Sequence, residues 1–387
     1  MRYLFQFRRY HLPFRTIVRT AHGPWGEREG IIVRLQNESG GVGFGEAAVI
    51  PWFGTETAEE AEAACRELGG KVDDERLATV PTGLVCLRNA LAASRTVLPE
   101  ETERKNLNSG GRPPCALLTP VKTNPALGMA ALLPAGRAAI TEISPKLEAG
   151  FRVFKWKVGV GDPADELGLL DDVCAALPSG AKLRLDANGA WERRQATRWM
   201  ERCAERPVEF VEQPIAADAR GAQDVLLGLA GDYPTPIALD ESLVSEGDLE
   251  RWIGAGWPGV FVVKPSLLGD VGSALARLAA CDADVVFSSA LETAIGARAA
   301  LQVAFAWTRE REKGKREPTS MDLNQAPTTK ESPAPKTTAE RRPPRALGFG
   351  VWPLFSDARF DGQYLAPFIR WEDVERINPE DVWNALS

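Results

Sequence analysis

The sequence predicts an α/β fold in which eight parallel strands close into a barrel after a smaller α+β unit. From about residue 126, short apolar runs alternate with helix-length segments, which is the pattern of a barrel. An open doubly wound sheet is the alternative, but the strand count and the charged residues that end the strands favour the barrel. The eight runs are Ala130–Pro134, Phe151–Val158, Leu183–Asp186, Val208–Glu212, Ile237–Asp240, Val260–Lys264, Val285–Ser289 and Leu347–Val351.

The N-terminal part of the chain predicts a separate α+β unit. The turn sequence Asn37–Gly41 lies between two apolar strands and indicates a hairpin. Thr57 and Glu60 have the spacing of a capping box, which begins a helix. A polar stretch rich in Gly and Pro follows and is typical of a linker. We therefore place a first domain at 1–115 and a barrel domain at 116–357.

Residues 308–345 interrupt the barrel pattern. Their apolar residues are Met321, Leu323 and three alanines, so this segment cannot bury enough apolar surface to offset the entropy lost on ordering. We expect a disordered insertion between the seventh helix and the eighth strand. Loops at that end of a barrel lie on the face opposite to the active site, so the insertion is expected to be dispensable for chemistry.

The composition excludes several classes of protein. The 387 residues include 46 Lys and Arg against 53 Asp and Glu, a net charge of −7, whereas proteins that bind nucleic acid are usually basic. No apolar run approaches the roughly 18 residues of a membrane span, and the N-terminus lacks a signal-peptide pattern. The six cysteines form no CxxC pair, as expected for reduced thiols. We expect a cytoplasmic protein without a nucleic-acid or membrane partner.

Ionisable residues stand at the ends of five consecutive predicted strands, at intervals of 24 to 29 residues. The carboxyl ends of barrel strands meet at one face, where barrel enzymes hold their catalytic groups. One charge after a strand is an ordinary solvated position, but five in succession indicate a site. The residues are Lys155 with Lys157, then Asp186, Glu212, Asp240 and Lys264, and Ser288 and Ser289 follow the next strand.

The three carboxylates, Asp186, Glu212 and Asp240, fall on neighbouring strands. Carboxylates that converge repel one another unless a cation lies between them, and an all-oxygen set favours Mg²⁺ or Mn²⁺. Zinc is disfavoured because no His or Cys shares these positions. Asn188 lies on the same face as Asp186 and is a candidate to hydrogen-bond the substrate or a ligand.

The lysines fall on the second and sixth strands, which face each other across an eight-stranded barrel. Because side chains alternate along a strand, Lys155 and Lys157 share one face while Trp156 points to the helices. Repulsion by Lys155 would lower the pKa of Lys157. Two opposed lysines beside a divalent cation suit removal of a proton α to the carboxylate of a small substrate.

At these motifs the chain resembles the enolase superfamily, in its muconate-lactonising-like branch, over nearly its whole length. The resemblance implies a (β/α)7β TIM-like barrel with an N-terminal α+β capping domain, on which a C-terminal segment, 358–387, packs back. It also implies that the three carboxylates bind Mg²⁺. The motifs are Phe154–Val158, Leu185–Gly189, Glu212–Pro214, Asp240–Ser242 and Lys264–Pro265.

Two further segments, Pro51–Thr57 and Ser288–Thr293, resemble the o-succinylbenzoate synthase family within that branch. The resemblance implies syn-dehydration of 2-succinyl-6-hydroxy-2,4-cyclohexadiene-1-carboxylate to o-succinylbenzoate, in menaquinone or phylloquinone biosynthesis. Lys157 would remove the α-proton and return it to the departing hydroxyl, and Lys264 would lie opposite as a cation. Ser288 and Ser289 would bind the succinyl carboxylate.

Two other functions remain open at this point. An N-acylamino acid racemase of the same superfamily would use Lys157 and Lys264 as its two bases. A barrel that serves only as a binding or scaffold protein would not need the lysines and carboxylates that this sequence retains. The chain is therefore expected to be an enzyme.

Overall fold

The structure, a computed structural model, describes residues 1–20, 23–96, 126–313, 344–362 and 365–386. The predicted linker and the domain boundary at residue 115 lie outside these ranges, so the division into domains stays a prediction. No helix in the described ranges combines the length and the apolar character that a membrane span requires.

An antiparallel sheet of four strands, in the order β3-β2-β1-β4, forms the N-terminal part. The predicted hairpin joins β2 to β3, and the Asn37 side chain fixes its turn by accepting from Gly41 N at 2.7 Å. The apolar side of this sheet packs on helices, as the alternation of buried residues along β2 requires. The strands are β1 (Arg2–Thr20), β2 (Gly23–Asn37), β3 (Val42–Ala47) and β4 (Lys71–Asp73).

Three helices cover the sheet. The capping box predicted at the start of α1 is confirmed, since Glu60 N donates to Thr57 Oγ1 and Thr57 N donates back to the Glu60 carboxylate. Gly45 of β3 lies against α3, and a Cβ there would stand 1.9 Å from Ala90 O, so glycine is required for this approach. The helices are α1 (Ala58–Leu68), α2 (Asp74–Ala78) and α3 (Val85–Thr96).

Seven parallel strands form the second sheet, and they follow one another in sequence order. A short pair, β5 (Leu127–Gly128) with β13 (Phe368–Ile369), lies beside it. This order is the one that an α/β barrel requires. The seven strands are β6 (Ala131–Leu133), β7 (Val153–Lys157), β8 (Lys182–Asp186), β9 (Val208–Glu212), β10 (Ile237–Leu239), β11 (Val260–Val263) and β12 (Asp284–Phe287).

The predicted eighth strand is reduced to two residues. Leu347 forms a parallel bridge to Met129, and Gly348 forms one to Ser288. Residues 347 and 348 thus lie between the segment before β6 on one side and the end of β12 on the other, so the sheet closes into a TIM-like barrel. The prediction of a strand beyond Gly348 is wrong: a turn follows at Gly350, because glycine weakens a strand and lets the backbone approach its neighbour closely.

Helices alternate with the barrel strands and cover their outer side. On β7, Trp156 packs against Trp199 of a helix, with ring centroids 6.3 Å apart, while Lys155 and Lys157 point into the barrel. The alternation predicted for this strand is therefore observed. The helices are α4 (Ala138–Glu148), α5 (Pro163–Ala175), α6 (Arg193–Cys203), α7 (Ala222–Asp232), α8 (Glu246–Gly254), α9 (Val271–Ala280) and α10 (Ala294–Lys313).

The predicted disorder of 308–345 is wrong at its first residues, because α10 continues to Lys313. The last turns of this helix are held by Arg311, which pairs with Asp282 at 2.6 Å. A polar composition therefore does not prevent order where a helix extends from a packed core. Residues 314–343 lie outside the described ranges, and there the disorder stays a prediction.

The C-terminal segment ends on the N-terminal sheet. Arg8 of β1 lies 4.2 Å above the Trp383 ring, and Phe44 of β3 packs on the same ring. Two helices, α11 (Trp371–Glu375) and α12 (Pro379–Ala385), make up most of this segment.

Four charged residues close the N-terminal end of the barrel. Arg345, near the end of the segment predicted to be disordered, pairs with Asp284 at 2.8 Å and with Glu209 at 2.7 Å. Arg184, almost fully buried, pairs with Glu209 at 2.7 Å. A register shift between β8 and β9 accompanies this cluster. The cluster anchors the return of the chain into the barrel.

Replacing Arg345 by methionine should destabilise the protein by about 3 kcal/mol, because the buried Glu209 and the half-buried Asp284 each lose one of the charges that pair with them. Catalytic activity should change little, since the cluster lies at the opposite end of the strands from the cavity described below. Urea unfolding would measure the loss. Arg376→Met, at an exposed ion pair, is the matched control and should leave the unfolding midpoint unchanged. Equal stabilities for the two variants would contradict this role of Arg345.

Candidate active site

The carboxyl ends of the barrel strands open into a cavity of about 620 Å³. Part of its wall comes from the N-terminal unit, through Trp25, Trp52 and Phe53. Glu212 lies buried just beneath the lining, and the structure brings all the other residues predicted from the sequence to the cavity surface. These are Lys155, Lys157, Asp186, Asn188, Asp240, Lys264, Ser288 and Ser289.

Lys155 bridges two of the three carboxylates. Its Nζ lies 2.8 Å from Asp186 Oδ2 and 2.7 Å from Glu212 Oε1. Burial by itself lowers the pKa of Lys155, but the charges of Asp186 and Glu212 outweigh burial and raise it. This pairing favours the charged form of Lys155.

Lys264 lies across the barrel mouth, after β11 and four strands away from β7. Its ammonium pairs with Asp240 and lies 5.1 Å from the centre of the Phe53 ring. Burial lowers the pKa of Lys264 to about 8. The predicted opposition of two lysines across the cavity is thus present in the geometry.

Lys157 is half-buried at the end of β7 and faces the cavity. Burial lowers its pKa, the Lys155 charge lowers it further, and the Asp186 charge opposes both. The sequence analysis named repulsion by Lys155 as the cause, whereas burial is the larger one. A lysine with a lowered pKa is neutral, and hence basic, more often than an exposed lysine at the same pH.

Asn188 and Glu241 form a half-buried polar pair beside Asp186. Asn188 Nδ2 donates to Glu241 Oε1 at 3.0 Å, and Asn188 N donates to Asp186 Oδ1 at 3.2 Å. Burial, with the Asp186 charge second, raises the pKa of Glu241 to about 7. Two polar atoms of this pair, Asn188 Oδ1 and Glu241 Oε2, are buried without a hydrogen-bond partner in the described ranges. They are free acceptors next to the carboxylates.

The three carboxylates suit a hard cation, because Asp186, Glu212 and Asp240 end adjacent strands and offer only oxygen. Within the described part of the chain, however, no three acidic, thiol or imidazole side chains are arranged to hold a metal ion. The ammonium groups of Lys155 and Lys264 lie among the carboxylates and neutralise them. The three carboxylates thus pair with positive charge in the structure. A metal ion held by all three of them stays a prediction.

The two serines predicted to bind substrate lie where the barrel closes. Ser288 Oγ donates to Gly348 O at 3.2 Å, in the bridge that replaces the eighth strand. Ser289 Oγ donates to Glu292 Oε2 at 3.1 Å and accepts from Leu291 N at 2.9 Å. Both serines line the cavity, and in the structure each hydroxyl donates to a group of the chain itself.

Family models and a relative of known name match this chain over most of its length. A family model described as "Enolase C-terminal domain-like" matches residues 139–354, which is more than half of the chain, and one described as "MenC, N-terminal domain" matches 1–89. The o-succinylbenzoate synthase of Thermosynechococcus vestitus is 40% identical over 307 residues, covering 78% of this chain and 88% of that protein. The chain belongs to the o-succinylbenzoate synthase family of the enolase superfamily. The resemblance inferred from the strand-end motifs is confirmed.

Solved structures agree with this family and with the fold. A crystal structure of o-succinylbenzoate synthase from Thermosynechococcus elongatus BP-1, with Mg in its active site, aligns with a TM-score of 0.72 at 33% identity over 99% of each chain. The L-Ala-D/L-Glu epimerase of Bacillus subtilis aligns with a TM-score of 0.66 at 23% identity, over 79% of this chain and 87% of that one, and shows the shared fold alone.

Some residues that shape the site of this family member were not predicted from the sequence. The buried Glu166 carboxylate accepts from the backbone N–H groups of Gly159 (2.7 Å), Val160 (3.1 Å) and Gly161 (2.9 Å), and so fixes the loop directly after Lys157. The sequence did offer a signal for this role, namely a glutamate near the start of a helix-length segment that follows a glycine-rich loop.

Gln213 was part of a quoted motif but had no role assigned. Its Oε1 accepts from Asp240 N at 3.0 Å and from Ser242 N at 3.2 Å, and its Nε2 donates to Ser242 Oγ at 2.8 Å. Gln213 is fully buried and therefore holds the end of β9 against the end of β10. Through these bonds it sets the position of Asp240.

A buried acidic pair, Glu46 and Glu292, was also missed. Burial, with the nearby Glu46 charge, raises the pKa of Glu292 to about 7. The folded state therefore favours the protonated form of Glu292. The resulting contribution to the free energy of unfolding is complete below the pKa of about 4.3 in the unfolded chain, and it is lost as the pH rises through about 7.

Glu292→Gln, which is always neutral, should consequently become more stable than the wild type as the pH rises, by about 3 kcal/mol at pH 8. Urea unfolding at pH 5, 6, 7 and 8 measures the difference. Glu205→Gln, at an exposed position, is the control and should show no trend with pH. A constant difference between Glu292→Gln and the wild type would show that Glu292 ionises as an ordinary glutamate.

Proposed function

We propose that the chain catalyses the dehydration of 2-succinyl-6-hydroxy-2,4-cyclohexadiene-1-carboxylate to o-succinylbenzoate, as an o-succinylbenzoate synthase on the route to menaquinone or phylloquinone. The observation that carries the proposal is the pair of lysines on opposite strands of one cavity, Lys157 and Lys264, with three carboxylates between them. Relatives of that name, one of them 40% identical, support the same reaction.

Lys157 is the base in this proposal. It takes the proton α to the substrate carboxylate and then gives the proton to the departing hydroxyl, so that one residue on one face performs a syn elimination. Lys264, held by Asp240 and Phe53, faces the ring from the other side as a cation. Lys155 assists by its charge and does not exchange protons.

Asp186, Glu212 and Asp240 would hold Mg²⁺, with Mn²⁺ as a substitute. When bound, the ion supplies Lewis-acid stabilisation of the negative charge that develops at the substrate carboxylate. The likeness to a synthase crystallised with Mg in its active site supports this assignment. Further support comes from the ammonium groups of Lys155 and Lys264, since their pairing with the same three carboxylates indicates that these oxygens attract cations.

Substrate recognition is assigned to polar groups on the cavity wall. Ser288 and Ser289 bind the succinyl carboxylate, and Asn188, with its unpartnered Oδ1, is placed to hydrogen-bond the substrate or a ligand. The N-terminal unit acts as a capping domain. Support comes from Trp52 and Phe53, which line the cavity mouth beside the lysines.

An N-acylamino acid racemase is the second candidate, and the position of Lys264 opposite Lys157 favours it, since a racemase needs a base on each face. In deuterated solvent a racemase exchanges the α-hydrogen of an N-acylamino acid. A dehydratase without this side activity leaves that hydrogen in place.

The test is a direct assay. The purified chain, Mg²⁺ and the cyclohexadiene substrate are mixed, and the loss of the diene ultraviolet absorbance is followed with and without a chelator. Turnover that requires Mg²⁺ supports the proposal. Absence of turnover, together with deuterium exchange into an N-acylamino acid, would replace the proposed function by the racemase.

A further inference from the structure

Arg28 of β2 is a buried cation that is bonded to backbone oxygens. Only 1% of its surface is exposed, and within the described residues its four hydrogen bonds all go to carbonyl groups. Its Nε donates to Leu291 O at 3.0 Å, and its Nη2 donates to Ala290 O at 3.4 Å. Its Nη1 donates to Glu29 O at 3.1 Å and also to Val49 O. A buried charge bonded in this way ties together the segments that supply the oxygens.

The segments that Arg28 joins form part of the cavity wall. Leu291 lies in the loop directly after β12 and lines the cavity, and so does Ile50, which follows one of the accepting carbonyls. Trp25 lines the cavity as well, with its ring 5.1 Å from the guanidinium carbon, and packs edge-on against Trp52 at 4.7 Å. Arg28 thus lies behind the wall at the point where the N-terminal unit meets the barrel.

The backbone at Leu291 is in a conformation that needs support. Its φ of 59° lies in the left-handed region, which a residue such as leucine adopts rarely and at a cost in energy. Such a conformation persists only where the surroundings hold it. The amide of Leu291 donates to Ser289 Oγ at 2.9 Å, and its carbonyl accepts from Arg28. Without Arg28, we expect this part of the cavity wall to change its conformation.

The shape of the guanidinium group suits this role. Its donors lie in one rigid plane, so the edge formed by Nε and Nη2 contacts the loop after β12 while Nη1 contacts the N-terminal unit. Lysine would keep the charge of Arg28, but its single ammonium group cannot reproduce this planar fork. The role is therefore expected to depend on geometry and not on charge alone.

The reacting groups are held by other contacts. Lys157 pairs in register with Asp186 along β7 and β8, and Gln213 accepts from the backbone N–H of Asp240 at 3.0 Å. The four hydrogen bonds of Arg28 reach none of these residues. Loss of Arg28 should therefore change how the cavity receives the substrate and leave the base and the carboxylates in place.

We propose that Arg28 is a positioning residue that holds the loop after β12 against the N-terminal unit and thereby shapes the wall that receives the succinyl arm of the substrate. The inference rests on the proposed function, because the assignment of Ser288 and Ser289 to the succinyl carboxylate places that arm at this loop. It predicts an effect on substrate binding and not on the chemical step.

The first experiment compares Arg28→Met and Arg28→Lys with the wild type in steady-state dehydration kinetics at saturating Mg²⁺. Each variant should raise KM for the cyclohexadiene substrate about tenfold and leave kcat within about threefold. A variant that merely unfolds loses active protein, so its apparent kcat falls while its KM stays the same. If Arg28→Met does not fold, Arg28→Lys provides the same comparison.

Arg34→Met is the matched control. Arg34 lies on the same strand and donates to Gln6 Oε1 at 2.9 Å and to Gln36 Oε1 at 3.2 Å, away from the cavity wall. This variant should keep KM within about twofold of the wild type. A wild-type KM in Arg28→Lys would show that charge alone suffices and would overturn the inference.

Leu291→Asn tests whether Arg28 acts through the loop. Asparagine adopts the left-handed conformation more readily than leucine, so the loop should depend less on Arg28. Arg28→Lys should then raise KM only about threefold in the Leu291→Asn background, and comparison within one background cancels the direct effect of the new side chain. Equal ratios in the two backgrounds, or a loss of kcat with KM unchanged, would overturn the inference alone. A wild-type chain without turnover would overturn the proposed function on which it rests.

Discussion

Lys157→Ala is expected to lower kcat for dehydration by about 10⁴-fold, since one residue supplies both the general base and the general acid. Lys157 faces the cavity at the end of β7. Lys155 cannot replace it, because its ammonium is held between Asp186 and Glu212 at 2.8 and 2.7 Å. Steady-state kinetics at saturating Mg²⁺ give the change, and binding of o-succinylbenzoate should be nearly unchanged.

Lys182→Ala is the matched control for this variant. Lys182 begins β8, at the opposite end of the barrel, and its side chain is exposed. Its removal should leave kcat within about twofold of the wild type, since it lies far from any step of the reaction. Full turnover by Lys157→Ala would remove the proposed base, and with it the mechanism.

Glu212→Gln should weaken binding of Mg²⁺ by about 100-fold or more and lower kcat at limiting Mg²⁺ in proportion, because it removes one charge from the middle of the three carboxylates. Glu212 pairs in register with Asp186 of β8 and with Ala238 of β10, and Asp240 directly follows β10. Titration calorimetry with Mg²⁺ measures the affinity independently of turnover. For the wild type, a chelator should abolish activity and added Mg²⁺ should restore it.

The variant Glu241→Gln tests whether Glu241 binds Mg²⁺ directly or only lies next to a residue that does. Glu241 is joined to Asn188 at 3.0 Å and lies beside Asp240, so its neutralisation should cost about tenfold in affinity for Mg²⁺. A larger effect for Glu241→Gln than for Glu212→Gln would reassign the third ligand. Unchanged Mg²⁺ binding by both variants would place the ion elsewhere.

The site was predictable because each of its charged residues follows its own strand. Lys157, Asp186 and Glu212 each end a short apolar run, and the repeat of one βα unit brings strand ends to one face whatever the loops do. Only the partners of these groups were unpredictable. The pairing of Lys155 with both Asp186 and Glu212 depends on distances of a few ångströms, which periodicity does not encode.

Predictions failed where order depends on remote contacts. The run that begins at Leu347 was predicted as a full strand, but two bridges to Met129 and Ser288 complete the barrel. The segment from residue 308 was predicted to be disordered, but α10 extends into it as far as Lys313, and Arg311 on these turns pairs with Asp282. In both cases local composition gave the wrong result, since contacts made elsewhere in the fold determine the ends of the elements.

By itself, the sequence determined that this chain is a barrel with lysines and carboxylates at one mouth, since strand periodicity and the charge after each strand are local properties. The tertiary structure alone decided how Arg28, Glu46 and Glu292 meet beside Ser289, and how Arg345 closes the opposite end. These contacts join residues far apart in the chain, and a buried charge gains its partner and its altered pKa only when the packing is complete.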